Sequence, residues 1–234
     1  MKIIILAGGK ATRLPKSAKN IPKTLIKIAG KTILQHQINL LQKHGLTDIR
    51  LSLGYRANEI IDYLTCLPAG KDGKYEYIIE PKPLGTGGAI KFASKDLKED
   101  FMVLNGDNLM DIDLTKFIQF HKSHSLANSM IGWFCKDTRG WGLIKNKGIK
   151  ISEFKEKPKT KCQGLISTGV YILSSEIFKS IKAKSFSVEY DIFPNLVKQE
   201  QLAVFIHQGK WMGVNTEEDV KIANQIWKKK HLPQ

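Results

Sequence analysis

Lys2–Ala7 (KIIILA) is a continuous apolar, largely β-branched run that stops at Gly8-Gly9. A strand without polar alternation is buried on both faces, which is met chiefly in parallel sheets covered by helices on either side. The pattern then repeats. Thr32–His44 sets Ile33, Leu34, Ile38 and Leu41 on one helical face and ends at Gly45. Asp48–Tyr55 is strand-like, Asn58–Leu64 helical, Tyr75–Glu80 a strand, Gly87–Leu97 a helix, and Phe101–Leu104 a strand entering Asn105-Gly106-Asp107. This alternation predicts right-handed crossovers between parallel strands. After Asp107 the texture changes. Leu114–His124 reads as a helix, and short strand-like pieces at Ser129–Cys135, Gly142–Lys145, Ile149–Phe154 and Ser167–Leu173 predict an antiparallel or mixed extension lying against the first sheet. Thr216 and Asp219 have capping-box spacing at the head of a last amphipathic helix, Thr216–Lys230. The expected fold class is α/β: a Rossmann-like mixed, mainly parallel sheet with helices on both faces and a small antiparallel β extension.

Charge narrows the partners. Lys and Arg number 37 against 22 Asp and Glu, a formal net charge of +15. Such an excess points to a polyanion: nucleic acid, an anionic membrane surface or phosphorylated small molecules. Solvated surface lysine accounts for the same excess without any partner. Only Arg13, Arg50, Arg56 and Arg139 are arginines, which argues against sequence-specific DNA reading by bidentate guanidinium contacts. No aromatic-interleaved basic motif or helix-turn-helix pattern appears. Cys66, Cys135 and Cys162 are odd in number and lack CxxC spacing, so they read as reduced thiols of a cytoplasmic protein. His121 and His124 read as surface helix. The apolar start is too short for a signal peptide or a membrane span.

The candidate chemistry sits at strand ends, where parallel α/β sheets bind ligands. Gly8-Gly9-Lys10-Ala11-Thr12-Arg13 follows the first strand. Its glycines let backbone N–H groups approach phosphate while Lys10 and Arg13 add charge; a plain tight turn explains the glycines but not the cations. Lys23, after Pro22, could reach over the same pocket. Gly85-Thr86-Gly87-Gly88 opens a helix at the same sheet edge, equally readable as a flexible helix entry. Asp107 ends a strand, placed either to hold Mg²⁺ with phosphate oxygens or to cap a turn.

In order, LAGGKATRL, PK, PLGTGGAI, LNGD and FKEKP resemble the sugar-1-phosphate nucleotidyltransferases, from Lys2 to about Asn224. The resemblance implies one domain, residues 1–234, with a nucleotide-binding half over 1–110 and a sugar-binding half with the last helix over 111–234. It implies that Leu6, Ala7, Gly8, Gly9, Lys10, Thr12 and Arg13 hold the nucleotide, with Gly85 and Thr86 against the base. Arg13, Lys23 and Asp107 are the catalytic candidates. Gly142, Glu156, Lys157, Ser167 and Gly169 fall to the sugar phosphate, and Ser167 replaces a frequent Asn. Ala11 replaces a glycine of the usual loop. Gly213, in Trp211–Thr216, stands where a second metal Asp is usual. The Gly213-Val214-Asn215 segment instead resembles that of the related N-acetylglucosamine-1-phosphate uridylyltransferases, which implies that Asn215 shares Mg²⁺ with Asp107. The implied reaction joins an NTP and a sugar 1-phosphate into an NDP-sugar with release of pyrophosphate. The short chain with PLGTGGAI and IPK most resembles the bacterial heptose- and mannose-1-phosphate guanylyltransferases, which implies GTP and mannose or heptose 1-phosphate. Uridylyl, thymidylyl or cytidylyl transfer to glucose-type or amino sugars, or a non-catalytic nucleotide-sugar-binding regulator, are the alternatives. Neither a specific nucleic acid nor a membrane is an expected partner, and a homo-oligomer is left open.

Overall fold

The computed structural model describes residues 1–10, 21–67 and 75–228. Strands and helices follow in the order β1 Ile3–Ala7, β2 Lys27–Ile28, β3 Lys31–Thr32, α1 Ile33–Lys43, β4 Ile49–Leu53, α2 Ala57–Leu64, β5 Glu76–Ile79, α3 Gly85–Ala93, β6 Phe101–Asn105, β7 Asn108–Met110 and α4 Leu114–Lys122. Then come β8 Asn128–Cys135, β9 Gly142–Lys147, β10 Lys150–Glu156, β11 Gly164–Leu173, α5 Phe193–Lys198, β12 Leu202–His207, β13 Trp211–Gly213 and α6 Glu217–Lys228.

Among the described residues, nine strands form one sheet in the order β5-β4-β1-β6-β11-β8-β12-β10-β9. β5, β4, β1 and β6 run parallel, and the apolar run of β1 lies at their centre with Ile3, Ile4 and Ile5 fully buried. Alternate residues of β1 enter two cores. Ile3, Ile5 and Ala7 pack with Leu34, Ile38 and Leu41 of α1 and with Ile60 of α2. Ile4 packs with Ile90 of α3 and Phe193 of α5 on the opposite face. The fold is thus α/β with a mixed sheet and helices on both faces.

Two expectations change. The extension does not lie against the first sheet: β11 pairs antiparallel with β6, and the later strands continue the same sheet edge to edge. The parallel share is also smaller than expected, since beyond β6 only the β12–β8 pair is parallel. β9 additionally pairs with β11, so the far strands close a circuit through β8, β12 and β10. His121 is buried, with Nδ1 2.8 Å from Ser129 Oγ and Nε2 3.2 Å from Asp100 Oδ2. The capping box forms as the spacing predicts: Thr216 N–H donates to Asp219 Oδ2 at 2.8 Å, and Asp219 N–H donates to Thr216 Oγ1 at 3.2 Å. No helix among the described residues is long and apolar enough to cross a membrane.

Candidate active site

The carboxyl ends of the four parallel strands open into a cleft of about 710 Å³, within the usual range for small-molecule sites. Leu6, Gly8, Gly9 and Lys10 line it after β1, Gly54 and Tyr55 after β4, Glu80 after β5, and Asn105, Gly106 and Asp107 after β6. Lys23 and the Gly85-Thr86 start of α3 line it too. Lys10 Nζ lies 5.3 Å from the centre of the Tyr55 ring, a cation–π distance. Ala7 turns its side chain into the core. Thr12 and Arg13 lie outside the described residues.

At one end of the cleft, Lys23 Nζ donates to Asp107 Oδ2 at 2.5 Å and to Asn215 Oδ1 at 2.8 Å. Local pairing places Asn215 there. β13 runs antiparallel to β7 with Gly213 opposite Asn108, and Val214 N–H donates to the Asp107 carbonyl at 2.9 Å. Asn215 N–H is held by Asp219 Oδ2 at 2.8 Å, so the cap of α6 fixes the residue. The turn carrying Asp107 is pinned from below, where Gln37 Nε2 of α1 donates to the Asn105 and Asn108 carbonyls at 2.8 and 2.9 Å.

This geometry tests whether the residues fit a metal. No cluster of three or more His, Cys, Asp or Glu suited to a metal ion occurs among the described residues. Two hard oxygens do converge on one cationic point, now held by the ammonium. Such a sparse oxygen set fits Mg²⁺, which keeps waters and takes phosphate oxygens for its other positions.

Gly169 and Gly213 support the arrangement by what they lack. Gly169 has φ 78°, in the region that favours glycine, and a Cβ there would overlap the Asn108 and Asn105 side-chain amides. It lies where the β11–β8 register slips between Ser167 and Tyr171. This bulge turns the Thr168 carbonyl out of the ladder to accept from Asn108 Nδ2 at 2.7 Å and Trp211 Nε1 at 3.0 Å. A Cβ on Gly213 would overlap the Trp141 ring, which stacks edge-on to Trp211 at 4.9 Å. The space of the usual Asp is therefore filled by an indole.

The sugar-side candidates cluster on β9, β10 and β11, apart from the cleft lining. Gly142 stands opposite Glu156 in the β9–β10 ladder. Lys157 Nζ lies 3.4 Å from Glu156 Oε1, and burial, reinforced by the charge of Glu189, pushes the Glu156 carboxyl above its ordinary range. Ser167 is buried and donates to the Tyr171 hydroxyl at 3.3 Å.

Two site carboxylates escape the sequence reading. Glu80 accepts from Ser52 Oγ and from Leu84 N–H, each at 3.2 Å, and burial pushes its carboxyl up. Its strand-end position could have flagged it. Glu189 accepts from Thr86 Oγ1 at 2.5 Å and Ser187 Oγ at 2.7 Å; nothing in its local sequence marks it.

Residues 2–229 match the family model described as Nucleotidyl transferase. The mannose-1-phosphate guanyltransferase 2 of Candida glabrata is 34% identical over 225 residues, and the mannose-1-phosphate guanyltransferase of Saccharomyces cerevisiae 33% over the same length. Each alignment covers 94% of this chain and 62% of the relative, so the chain spans about three fifths of their length. Among solved structures, HddC from Yersinia pseudotuberculosis complexed with GMP-PN is 32% identical with a TM-score of 0.81, covering 97% of this chain and 99% of that one. A putative glucose-1-phosphate thymidylyltransferase from Bacillus anthracis, at 23% identity and a TM-score of 0.88, shares the fold over 100% of this chain and 98% of that one.

Proposed function

The chain belongs to the nucleotidyl transferase family, and from that membership we propose that it transfers a guanylyl group from GTP to mannose or heptose 1-phosphate. The observation that carries this reading is the Lys23 ammonium seated between Asp107 and Asn215 at the end of a strand-end cleft. In the reaction, an oxygen of the sugar phosphate attacks the α-phosphorus, the α–β phosphoanhydride bond breaks, and pyrophosphate leaves with the bonding electron pair. The nucleophile is already an anion, so no side-chain base is needed. The obstacle is repulsion between two anions, which positioned cations reduce.

Asp107 and Asn215 would hold Mg²⁺ in this reading, and the ion would supply charge neutralisation for the phosphates. Lys23 then moves onto the reacting phosphate, Lys157 faces the sugar phosphate, and Arg13 with Thr12 attends the leaving pyrophosphate. Glu80 supports the choice of base. It lines the cleft, and each of its carboxylate oxygens accepts one hydrogen bond, which leaves each further accepting capacity. Guanine offers the adjacent N1–H and N2–H₂ donors that a carboxylate accepts together. Uracil and thymine offer an N–H between two carbonyls.

Residues 1–234 act as one domain in this account, supported by β6–β11 pairing across the division at residue 110. The Rossmann-like part is the parallel half. A missing carboxylate at Gly213 would by itself favour the non-catalytic regulator, but Asn215 beside Lys23 leaves a two-oxygen set without it. We place the reaction in the cytoplasm, consistent with three free thiols. A panel of four NTPs against mannose, heptose and glucose 1-phosphates, read by Mg²⁺-dependent pyrophosphate release, tests the proposal. GTP with mannose or heptose 1-phosphate is the expected pair, and no release from any pair overturns it.

A further inference from the structure

Glu189 is the second residue of a single π-helical turn, Val188–Ile192, whose chain crosses over the start of α3. Gly87 and Gly88 N–H groups both donate to the Phe186 carbonyl, at 3.0 and 3.2 Å, and Val188 N–H donates to Thr86 Oγ1 at 3.0 Å. The Thr86 hydroxyl in turn donates a hydrogen bond to Glu189 Oε2, which also accepts one from the Ser187 hydroxyl. One carboxylate oxygen is thus anchored by two donors. The other, Oε1, accepts no hydrogen bond among the described residues.

The direction of that charge is set by its neighbours. Glu189, Glu156 and Asp107 all act on the buried Tyr171 hydroxyl, and Glu189 raises Glu156 as well. The Val188–Ile192 turn runs directly into α5, whose Phe193 packs on Phe154 of β10 and Tyr171 of β11 at 5.1 and 4.8 Å. Glu189 thus lies between the Thr86 edge of the nucleotide cleft and the strands that carry Glu156 and Ser167. Two partly buried carboxylates repel one another, and among the described residues Lys157 is ion-paired with Glu156 and not with Glu189. Pairs of this kind are retained where a ligand supplies donors. A phosphate would be repelled, whereas a neutral polyol supplies hydroxyl protons.

We propose that Glu189 is a sugar-binding, specificity-determining residue: Thr86 and Ser187 fix Oε2 so that Oε1 accepts one ring hydroxyl of the sugar 1-phosphate, opposite Glu156. The inference rests on the sugar 1-phosphate reading above. It also links the two halves of the site, because the hydroxyl of Thr86, at the base-binding segment, orients a carboxylate that reads the sugar.

The test is a cycle between protein and substrate. Wild type, Glu189→Ala, Glu189→Gln and Thr86→Val are assayed by pyrophosphate release, with each substrate varied in turn at a saturating level of the other. The substrate is whichever of mannose and heptose 1-phosphate the wild type turns over, together with its 2-, 3-, 4- and 6-deoxy analogues. Glu189→Ala is expected to raise the sugar phosphate KM about 10- to 100-fold, the scale of one hydrogen bond to a charged acceptor, with the GTP KM within about threefold. One deoxy position is expected to cost the wild type a similar factor and the alanine variant almost nothing further. Thr86→Val, a prop on one side only, is expected to give a smaller rise. If the losses multiply at every deoxy position, or if Glu189→Ala raises both KM values alike and Thr86→Val reproduces it, Glu189 is only a prop and the proposal falls. Glu189→Gln keeps the volume and decides the question if the alanine variant melts early. A wild type that turns over neither sugar removes the functional reading and this inference together, whereas turnover with multiplying losses removes this inference alone.

Discussion

Lys23 Nζ lies 2.5 Å from Asp107 Oδ2, and the lysine side chain is only 12% exposed. The same ammonium bonds Asn215 Oδ1, so a short 3₁₀ turn at residues 23–25 and the cap of a helix near the chain's end are tied through one cation. A half-buried ion pair is retained at a cost in desolvation. Here it keeps two oxygens aimed at one point.

Removal of this cation or of its carboxylate should affect chemistry more than folding. Lys23→Ala or Asp107→Ala is expected to lower turnover at least ~100-fold, the scale of losing one preorganised charge contact. Asn215→Ala should raise the Mg²⁺ concentration needed for half-maximal rate about tenfold while kcat at saturating Mg²⁺ changes less. Pyrophosphate release across a Mg²⁺ titration measures both, and near-normal release by the Asp107 variant would refute the metal assignment.

Base choice should depend on Glu80. Glutamine keeps the volume but offers one acceptor and one donor, which suits an N–H beside a carbonyl. Glu80→Gln is expected to lower the GTP-to-UTP ratio of kcat/KM by about 10- to 100-fold. Burial raises this carboxyl, so on acidification it protonates earlier than an ordinary glutamate and then presents an O–H. Wild-type preference for GTP should therefore fade as the pH is lowered. A GTP-to-UTP ratio unchanged in the variant and flat with pH would show that the base is read elsewhere.

Glu156 is predicted to trade stability for function. Its carboxyl is raised first by burial and then by Glu189. The folded chain holds this proton to a higher pH than the unfolded chain. The favourable contribution is complete below the unfolded pKa and is lost as pH rises through the folded one. At neutral pH the ionised group thus costs stability. Glu156→Gln is expected to raise the melting temperature at pH 7–8, with the gain shrinking toward pH 4, and to weaken sugar phosphate binding. Paired melting curves at several pH values check the sign.

Legibility from the sequence divided along physical lines. β1, α1 and the strand-end glycines announce themselves because burial on two faces or on one stripe leaves a period in the apolar residues. The capping box of Thr216 and Asp219 is likewise local. β12, Leu202–His207, is the parallel partner of β8, yet its short run gives no sign of which strand it joins. Asn215 owes its place to the β7–β13 register, and Glu189 owes its place to a crossing over α3. Both are long-range contacts that no local period encodes. Asp107 and Lys23 were readable as candidates, but their mutual contact was not.

Gly213 tests whether the departure from the usual aspartate is accommodated by the fold. Any Cβ at this position meets the Trp141 ring, which is held edge-on by Trp211, and Asn108 Oδ1 lies 3.2 Å away on the same side. Relief requires moving an indole or the β7–β13 pair that carries Asn215. Overpacking of this kind costs about 1–3 kcal/mol. Gly213→Ala is therefore expected to lower the melting temperature by roughly 2–10 °C and to raise the Mg²⁺ requirement through displacement of Asn215. Trp141→Leu in the same chain frees the space and should recover most of the lost stability. If Gly213→Ala melts with the wild type, the glycine is not required by the indole. The missing aspartate would then need an explanation in the chemistry of the site.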